Sequence, residues 1–432
     1  MRAREEVRAS LADCLDAINP ERTASILTDA TDAVLAGALT VATGLVIAQR
    51  DGVEAVASGP DTAGSWDASL AHHAVIAMGR LGGQEIGYAS DADVLFVHEA
   101  RDGVGEAAAA QEAEAVAKQV LGLLASARPH PLEVDSDLRP EGRQGVMSRS
   151  LAAYGEYYGR WAALWERQAL LRARACAGDR DLGRRFEELI NPLRWAEAGL
   201  SSQDLREIRR IKARVETERL PRGVDPARHL KLGPGGLSDV EWSAQVLQLA
   251  HAGQIAELRT TSTIAALQAA VRAGLLSADD GGVLAAAWIL ASRLRSAIVL
   301  GTGRTSGPRS QVLPVQIREI RLVGRLIGLG SGRERELEDM YRRNARHTRA
   351  VVERIVFADG GAQDSSPSAP TPSTSVSGTR NRASIPVRSA DSAKDPRRQA
   401  PRGGGAARNT RSRRTGRTRP VRRRPEGPYP WS

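Results

Sequence analysis

The 432 residues carry a formal charge of +10 and only two cysteines, Cys14 and Cys176. That length suits two or three domains with a sizeable core, and two distant cysteines without a pairing pattern exclude a disulfide framework or a cysteine-based zinc site. The excess charge is confined to residues 358–432, which hold 16 Lys and Arg against 5 Asp and Glu; residues 1–357 hold 45 against 46.

The neutral body excludes a nucleic-acid-binding surface built on bulk charge. The basic segment, rich in Ser, Pro, Gly and Arg, has too little apolar surface to offset chain entropy and is expected to be disordered. No charged-then-apolar leader opens the sequence, and no apolar run reaches about 18 residues. The stretch AVLAGALTVATGLVIA (33–48) reads as a packed helix or strand. A cytoplasmic setting follows as the expectation.

In chain order, residues 1–50 read as helical, with Pro20 ending the first segment. Residues 51–71 read as a loop or hairpin. HAVIAMG (73–79) and DADVLFVHE (91–99) are strand-like, and the Ala-rich stretch 106–127 is helical. PLEVDSDLRPEG (131–142) suits a strand that stops at Pro140. This order makes a compact α/β core. From Ser148, a plausible N-cap, a helix is expected through 151–176, and helical periodicity continues to 357. Ser201 or Ser202 is placed to cap a helix that stops at Pro221.

Within the core, GYASDADVLF (87–96) sets Asp91 and Asp93 at the mouth of an apolar strand. Residues i and i+2 of a strand share a face, so the two carboxylates project together, and a divalent cation is the simplest way to balance them. Magnesium takes such oxygen ligands along with phosphate and water. Asp135, on the next expected strand, is the natural third carboxylate, with Asp137 an alternative by the same face rule. Three carboxylates suit two-metal displacement at phosphorus, with Asp135 doubling as general base. Gly79, Gly82, Gly83 and Gly87 supply a turn whose backbone can approach a phosphate, and Arg80 and Ser90 could contact it directly.

Strand, glycine turn, D-x-D strand, helix, third carboxylate: this order resembles the nucleotidyltransferase superfamily that includes DNA polymerase beta. Within it, MGRLGGQEIGYASDADVLF (78–96), VDSDLRPEG (134–142), WERQALLRAR (165–174) and HLKLGPGGLSDVEWSAQ (229–245) resemble the glutamine synthetase adenylyltransferase family, in that family's motif order. The resemblance implies an α+β fold: a polymerase-beta-like nucleotidyltransferase core with a mixed sheet, then an α-helical bundle and the basic tail. The expected divisions are 1–65 (helical segment), 66–190 (catalytic domain), 191–357 (bundle) and 358–432 (tail).

The resemblance also implies a Mg2+- and ATP-dependent enzyme that moves AMP to a tyrosine hydroxyl of glutamine synthetase and releases pyrophosphate, with the PII signal protein as regulator. Members usually carry two related halves, one adding AMP and one removing it by phosphorolysis. This chain has one half, more like the adding one; the removing half and an inactive docking remnant are the alternatives. Carried over by motif, Asp91, Asp93 and Asp135 ligate metal and act in catalysis, and Gly79, Arg80, Gly82, Gly83 and Ser90 contact the triphosphate. Two positions after the third carboxylate the family commonly has a basic residue, and this chain has Asp137.

Lys231 with Gly233, Gly235 and Gly236 either neutralises phosphate or shapes the junction between core and bundle. Glu166 and Arg139 are expected to support the metal ligands or the loop. His72, His73 and His98 are expected to be solvated or to pack, Trp161, Trp165 and Trp288 to lie in the core, and Cys176 to be a buried small residue.

Overall fold

The computed structural model describes residues 2–52, 66–128, 131–330 and 332–357. The loop or hairpin expected around 51–71 and the disordered tail expected at 358–432 fall largely or wholly outside the described residues.

Two helices open the chain, α1 (Arg2–Cys14) and α2 (Pro20–Asp51). Pro20 starts α2 rather than ending α1. Its missing N–H and fixed φ suit the first helical position, and the Asn19 side chain accepts from the Arg22 N–H at 2.8 Å.

Next come β1 (Ala71–Ala77), the short helical turn α3 (Gly79–Gly82), β2 (Ala92–Ala100), α4 (Glu106–Ser126), β3 (Val134–Asp135) and β4 (Ser148–Ser150). The core closes with α5 (Leu151–Trp161), α6 (Leu164–Leu170), β5 (Arg174–Gly178) and α7 (Arg180–Arg194). The sheet is mixed: β1 runs antiparallel to β2 and β5, while β3 and β4 pair parallel to opposite stretches of β2.

Both faces of this sheet are covered. Val75, Ala77, Val94 and Phe96 pack with residues of α2 and α4, whereas Ala74, Ile76, Leu95 and Val97 pack with Tyr154, Leu182 and Phe186 of α5 and α7. That is why the strands read as continuous apolar runs instead of alternating ones.

The helix expected over 151–176 is broken. Ser150, not Ser148, caps α5. Glu166 accepts from the Ala163 N–H at 2.6 Å to start α6 afresh, and the chain then turns into edge strand β5. Trp161 is 58% exposed, against the core position expected, while Trp288 is buried. Cys176 is half-buried, and burial pushes its thiol up to about 12.

After α7 the described chain is helical: α8 (Ser202–Glu218), α9 (Leu237–His251), α10 (Thr263–Arg272), α11 (Ala278–Thr302), α12 (Ile317–Leu326) and α13 (Glu334–Val352). Ser201 caps α8 reciprocally with Asp204. Leu294 and Ile298 of α11 bury against Leu313, Val323, Leu337 and Tyr341. The helices α2 and α11 are long and apolar enough to cross a membrane by length and composition, but each buries one face in this fold.

His73 on β1 and His98 on β2 are 3% and 2% exposed, bonded to Ser69 and Ser148. Burial pushes His73 down to about 3 and His98 down to about 4. The unfolded chain, with imidazoles near 6.5, takes up protons below that pH which the folded chain refuses, so stability falls as pH drops. Between pH 7 and 5 the expected loss is about 2 kcal/mol per histidine. Urea unfolding at the two pH values should show it, and His98→Gln should flatten the dependence by one histidine's share; an unaltered slope would contradict this account.

Candidate active site

The strand register brings the acidic residues together. Asp93 on β2 pairs directly with Asp135 on β3, and the Ala92 N–H donates to the Glu133 carbonyl at 2.9 Å. Asp91 lies one residue before β2. Carboxylate oxygens of Asp91, Asp93 and Asp135 all lie within 4.8 Å of one another. Asp91 is exposed, and the other two are partly buried.

The electrostatics are those of crowded like charges. Burial, then the neighbouring carboxylates of Asp91 and Asp135, push Asp93 up to about 7, while the Lys231 ammonium pulls the other way. Burial also raises Asp135, opposed by the Asp137 N–H, which donates to Asp135 Oδ1 at 2.7 Å. Asp137 itself does not join the cluster: its carboxylate pairs with Arg143 at 2.6 Å and Arg139 at 3.6 Å. Three close oxygen donors and no nitrogen or sulfur make a hard-ion set, and the residues present fit magnesium.

Gly79 is required by contact. Its φ is +51°, and a Cβ there would stand 2.0 Å from Asp93 Oδ2. No side chain fits beside that carboxylate. Gly82 and Gly83 are placed elsewhere: both are buried, and a Cβ on either would collide with Arg172. Their N–H groups donate to the Met78 and Gly79 carbonyls. Ser90 Oγ accepts from the Gly87 N–H at 3.3 Å and so closes the turn before Asp91. Arg80 folds back, with Nε on the Glu85 carbonyl at 2.9 Å, and burial lowers its pKa. Of the residues assigned to the triphosphate, Gly79 lies against the Asp93 carboxylate, and Arg80 is close enough to feel the charge of Asp91.

The loop is pinned from beneath. Glu85 and Arg172, 3% and 5% exposed, form an ion pair at 2.6 Å. Glu85 also accepts from the Thr263 N–H at 2.6 Å and its hydroxyl at 2.9 Å, while Arg172 reaches the same hydroxyl. The loop before Asp91, the segment after α6 and the start of α10 thereby meet at one buried node.

The bundle contributes a cation as well. Lys231, in the turn before α9, interacts with Glu241, Asp93 and Asp91, and burial depresses its ammonium. The glycines after it shape the junction: Gly235, at φ +72°, leaves 1.9 Å between a built Cβ and the Ala345 carbonyl on α13. The junction role is thus seen in Gly235, while Lys231 lies close enough to Asp93 and Asp91 to act on their charge. Arg139 holds the loop after Asp135 through the Ser136 and Gly145 carbonyls. Glu166 bonds Tyr157 and caps α6. Sequence reasoning did not single out Glu85, Arg172, Thr263 or Glu241, although all but Thr263 fall inside the quoted motifs.

The glutamate-ammonia ligase adenylyltransferase family model matches residues 1–189, and the PII-uridylyltransferase model matches residues 208–356. The chain belongs to the glutamine synthetase adenylyltransferase family. Relatives named bifunctional glutamine synthetase adenylyltransferase/adenylyl-removing enzyme include one from Streptomyces coelicolor, 55% identical over 287 residues, which is 66% of this chain and 28% of that protein. One from Cutibacterium acnes is 42% identical over 358 residues, covering 83% of this chain and 33% of the relative. One from Mycobacterium avium is 44% identical over 356 residues, covering 82% and 34%. The chain thus spans about a third of the length of the curated relatives it matches.

Two outcomes follow. Replacing Asp93 by Asn removes one of three crowded carboxylates, so at pH 8 the metal-free protein should melt ~2–4 °C higher, and added Mg2+ should no longer raise the melting temperature. Glu85→Ala removes the nearer carboxylate of buried Arg172, leaving Glu241 at 3.9 Å, and should cost about 3 kcal/mol, measured by urea unfolding; a loss under about 1 kcal/mol would show that the node is not what pins the loop.

Proposed function

We propose that this chain transfers AMP from ATP to a tyrosine hydroxyl of glutamine synthetase, through a polymerase-beta-like nucleotidyltransferase core. The observation that carries the reading is the cluster of Asp91, Asp93 and Asp135, held by strand register beside Gly79 and Lys231. Family membership supplies the substrate class.

Asp91, Asp93 and Asp135 would hold Mg2+. When bound, magnesium supplies positive charge for the phosphate oxygens and polarises the attacking oxygen.

The remaining roles belong to the chain's own side chains. Asp135 accepts the proton of the attacking hydroxyl; the Asp137 N–H fixes one of its oxygens, and burial raises its affinity for a proton. The hydroxyl oxygen forms the new bond to the α-phosphorus, and the bond to the leaving pyrophosphate breaks. Lys231 adds a positive charge beside Asp91 and Asp93, on the side where the bundle faces the core, and is placed to balance the triphosphate. Gly79 keeps side-chain bulk away from the Asp93 carboxylate.

Phosphorolytic removal is a separate in-line displacement at the same α-phosphorus, with inorganic phosphate attacking, the tyrosine oxygen leaving and ADP forming, and the same groups are placed to serve it. A cytoplasmic setting, where ATP and glutamine synthetase are found, belongs to this reading, as does the PII signal protein as a regulator. The match of the bundle to a PII-uridylyltransferase model supports a link to PII.

Incubation with glutamine synthetase, Mg2+ and ATP labelled on the α-phosphate should label the synthetase, and Asp93→Ala should lower that rate by about 1,000-fold or more. ADP formed instead from adenylylated synthetase and phosphate would assign the removing direction. Activity in neither direction would overturn the proposal in favour of a docking role. Lys231→Met should slow the reaction by about 10- to 100-fold, read as initial rate at saturating ATP.

A further inference from the structure

Behind the catalytic loop lies a second concave site that excludes the three aspartates. It is a small cleft with a cavity of about 30 Å³ between the start of α2, loop residues Glu85 to Ala89, one face of α11 and the segment from Thr305 to Gln311. Three of its lining residues, Arg80, Trp288 and Ser292, carry a fully buried polar atom with no hydrogen-bond partner: Arg80 Nη1, Trp288 Nε1 and Ser292 Oγ. Trp288 is 1% exposed and Ser292 9%.

Unpartnered buried polar atoms are uncommon, and each is costly unless something fills the space before it. Two of these groups, the guanidinium and the indole N–H, can only donate, and the hydroxyl can donate. Arg295 adds a second guanidinium to the wall, its Nε on Gln311 Oε1 at 2.6 Å. The one carboxylate among the described lining residues, Glu85, is already committed to Arg172 and Thr263. The wall therefore offers donors and positive charge with no free acceptor charge to oppose an anion.

We propose that this cleft binds a small oxyanion, a phosphate or carboxylate group, on Arg80, Trp288, Ser292 and Arg295. Such a ligand bridges α11 to Arg80 and to residues 85–89, the segment that leads into Asp91. Ala89 in that segment has φ +53°, a conformation that a non-glycine residue holds only when its surroundings enforce it. Occupancy would hold the loop in the form that presents the aspartates, and so make the cleft a regulatory site for the neighbouring chemistry.

The test needs neither glutamine synthetase nor ATP, so its failure is separable from failure of the adenylyl-transfer reading. The full chain, free of Mg2+, is titrated calorimetrically with sodium phosphate and, in a second arm, with sodium glutarate. Sodium chloride at matched ionic strength is the reference. Saturable binding of at least one oxyanion is expected, weakened about tenfold by Ser292→Ala and likewise by Trp288→Phe, each checked for folding by circular dichroism. The arm that binds more tightly assigns phosphate or carboxylate as the preferred group. No binding beyond the chloride reference overturns the proposal and leaves the cleft to water. Binding that persists at full strength in both folded variants overturns it too, by placing the anion elsewhere.

Discussion

Three carboxylates confined to within 4.8 Å are the constraint around which this fold is arranged. At an effective dielectric constant near 20, each fully ionised pair at that spacing repels by on the order of 3 kcal/mol. Nothing local can hold such a group; it has to be imposed by elements stable for other reasons. The sheet imposes it through two residue pairs between β2 and β3. The apolar faces on either side keep β2 in place, and the Asp137 N–H orients Asp135. Lys231 then brings opposite charge from the bundle.

Much of this was legible in the sequence because apolar runs and D-x-D spacing are local signals. Strands β1 and β2, helix α4 and helix α8 with its Ser201 cap appear within a few residues of their expected positions. What escaped has physical reasons. β4 is three residues of Ser and Arg with no apolar period, and β5 is built on Ala and Gly, poor strand formers held at an edge by pairing with β1. The break between α5 and α6 depends on Glu166 capping Ala163, a contact that composition alone does not reveal.

The site was legible in its carboxylates and less so in its loop. A run of glycines reads as a flexible phosphate cradle, yet Gly82 and Gly83 are small because Arg172 passes against them. Gly82 and Gly83 thus answer to packing as well, and Gly79 answers to the aspartate. The buried node of Glu85, Arg172 and Thr263 joins positions up to 178 residues apart, and no local pattern announces a pairing of that range. The departure at Asp137 also finds an account. Arg143 and Arg139 neutralise it, so the basic charge arrives from two and six positions further along the chain.

The parts that balance the aspartates come late. Lys231 and Glu241 lie on the far side of α7 and α8 from Asp93, within the stretch that matches a different family model from the one covering the sheet. A ribosome therefore finishes the sheet well before it makes the lysine. During that interval the nascent core carries its acidic cluster without the bundle's cation, and the loop lacks its anchor on Thr263. The order of synthesis makes the sheet a framework whose active geometry is completed only when the bundle folds back onto it. A chain released before the bundle is made would lack Lys231 beside its acidic cluster and Thr263 beneath its loop.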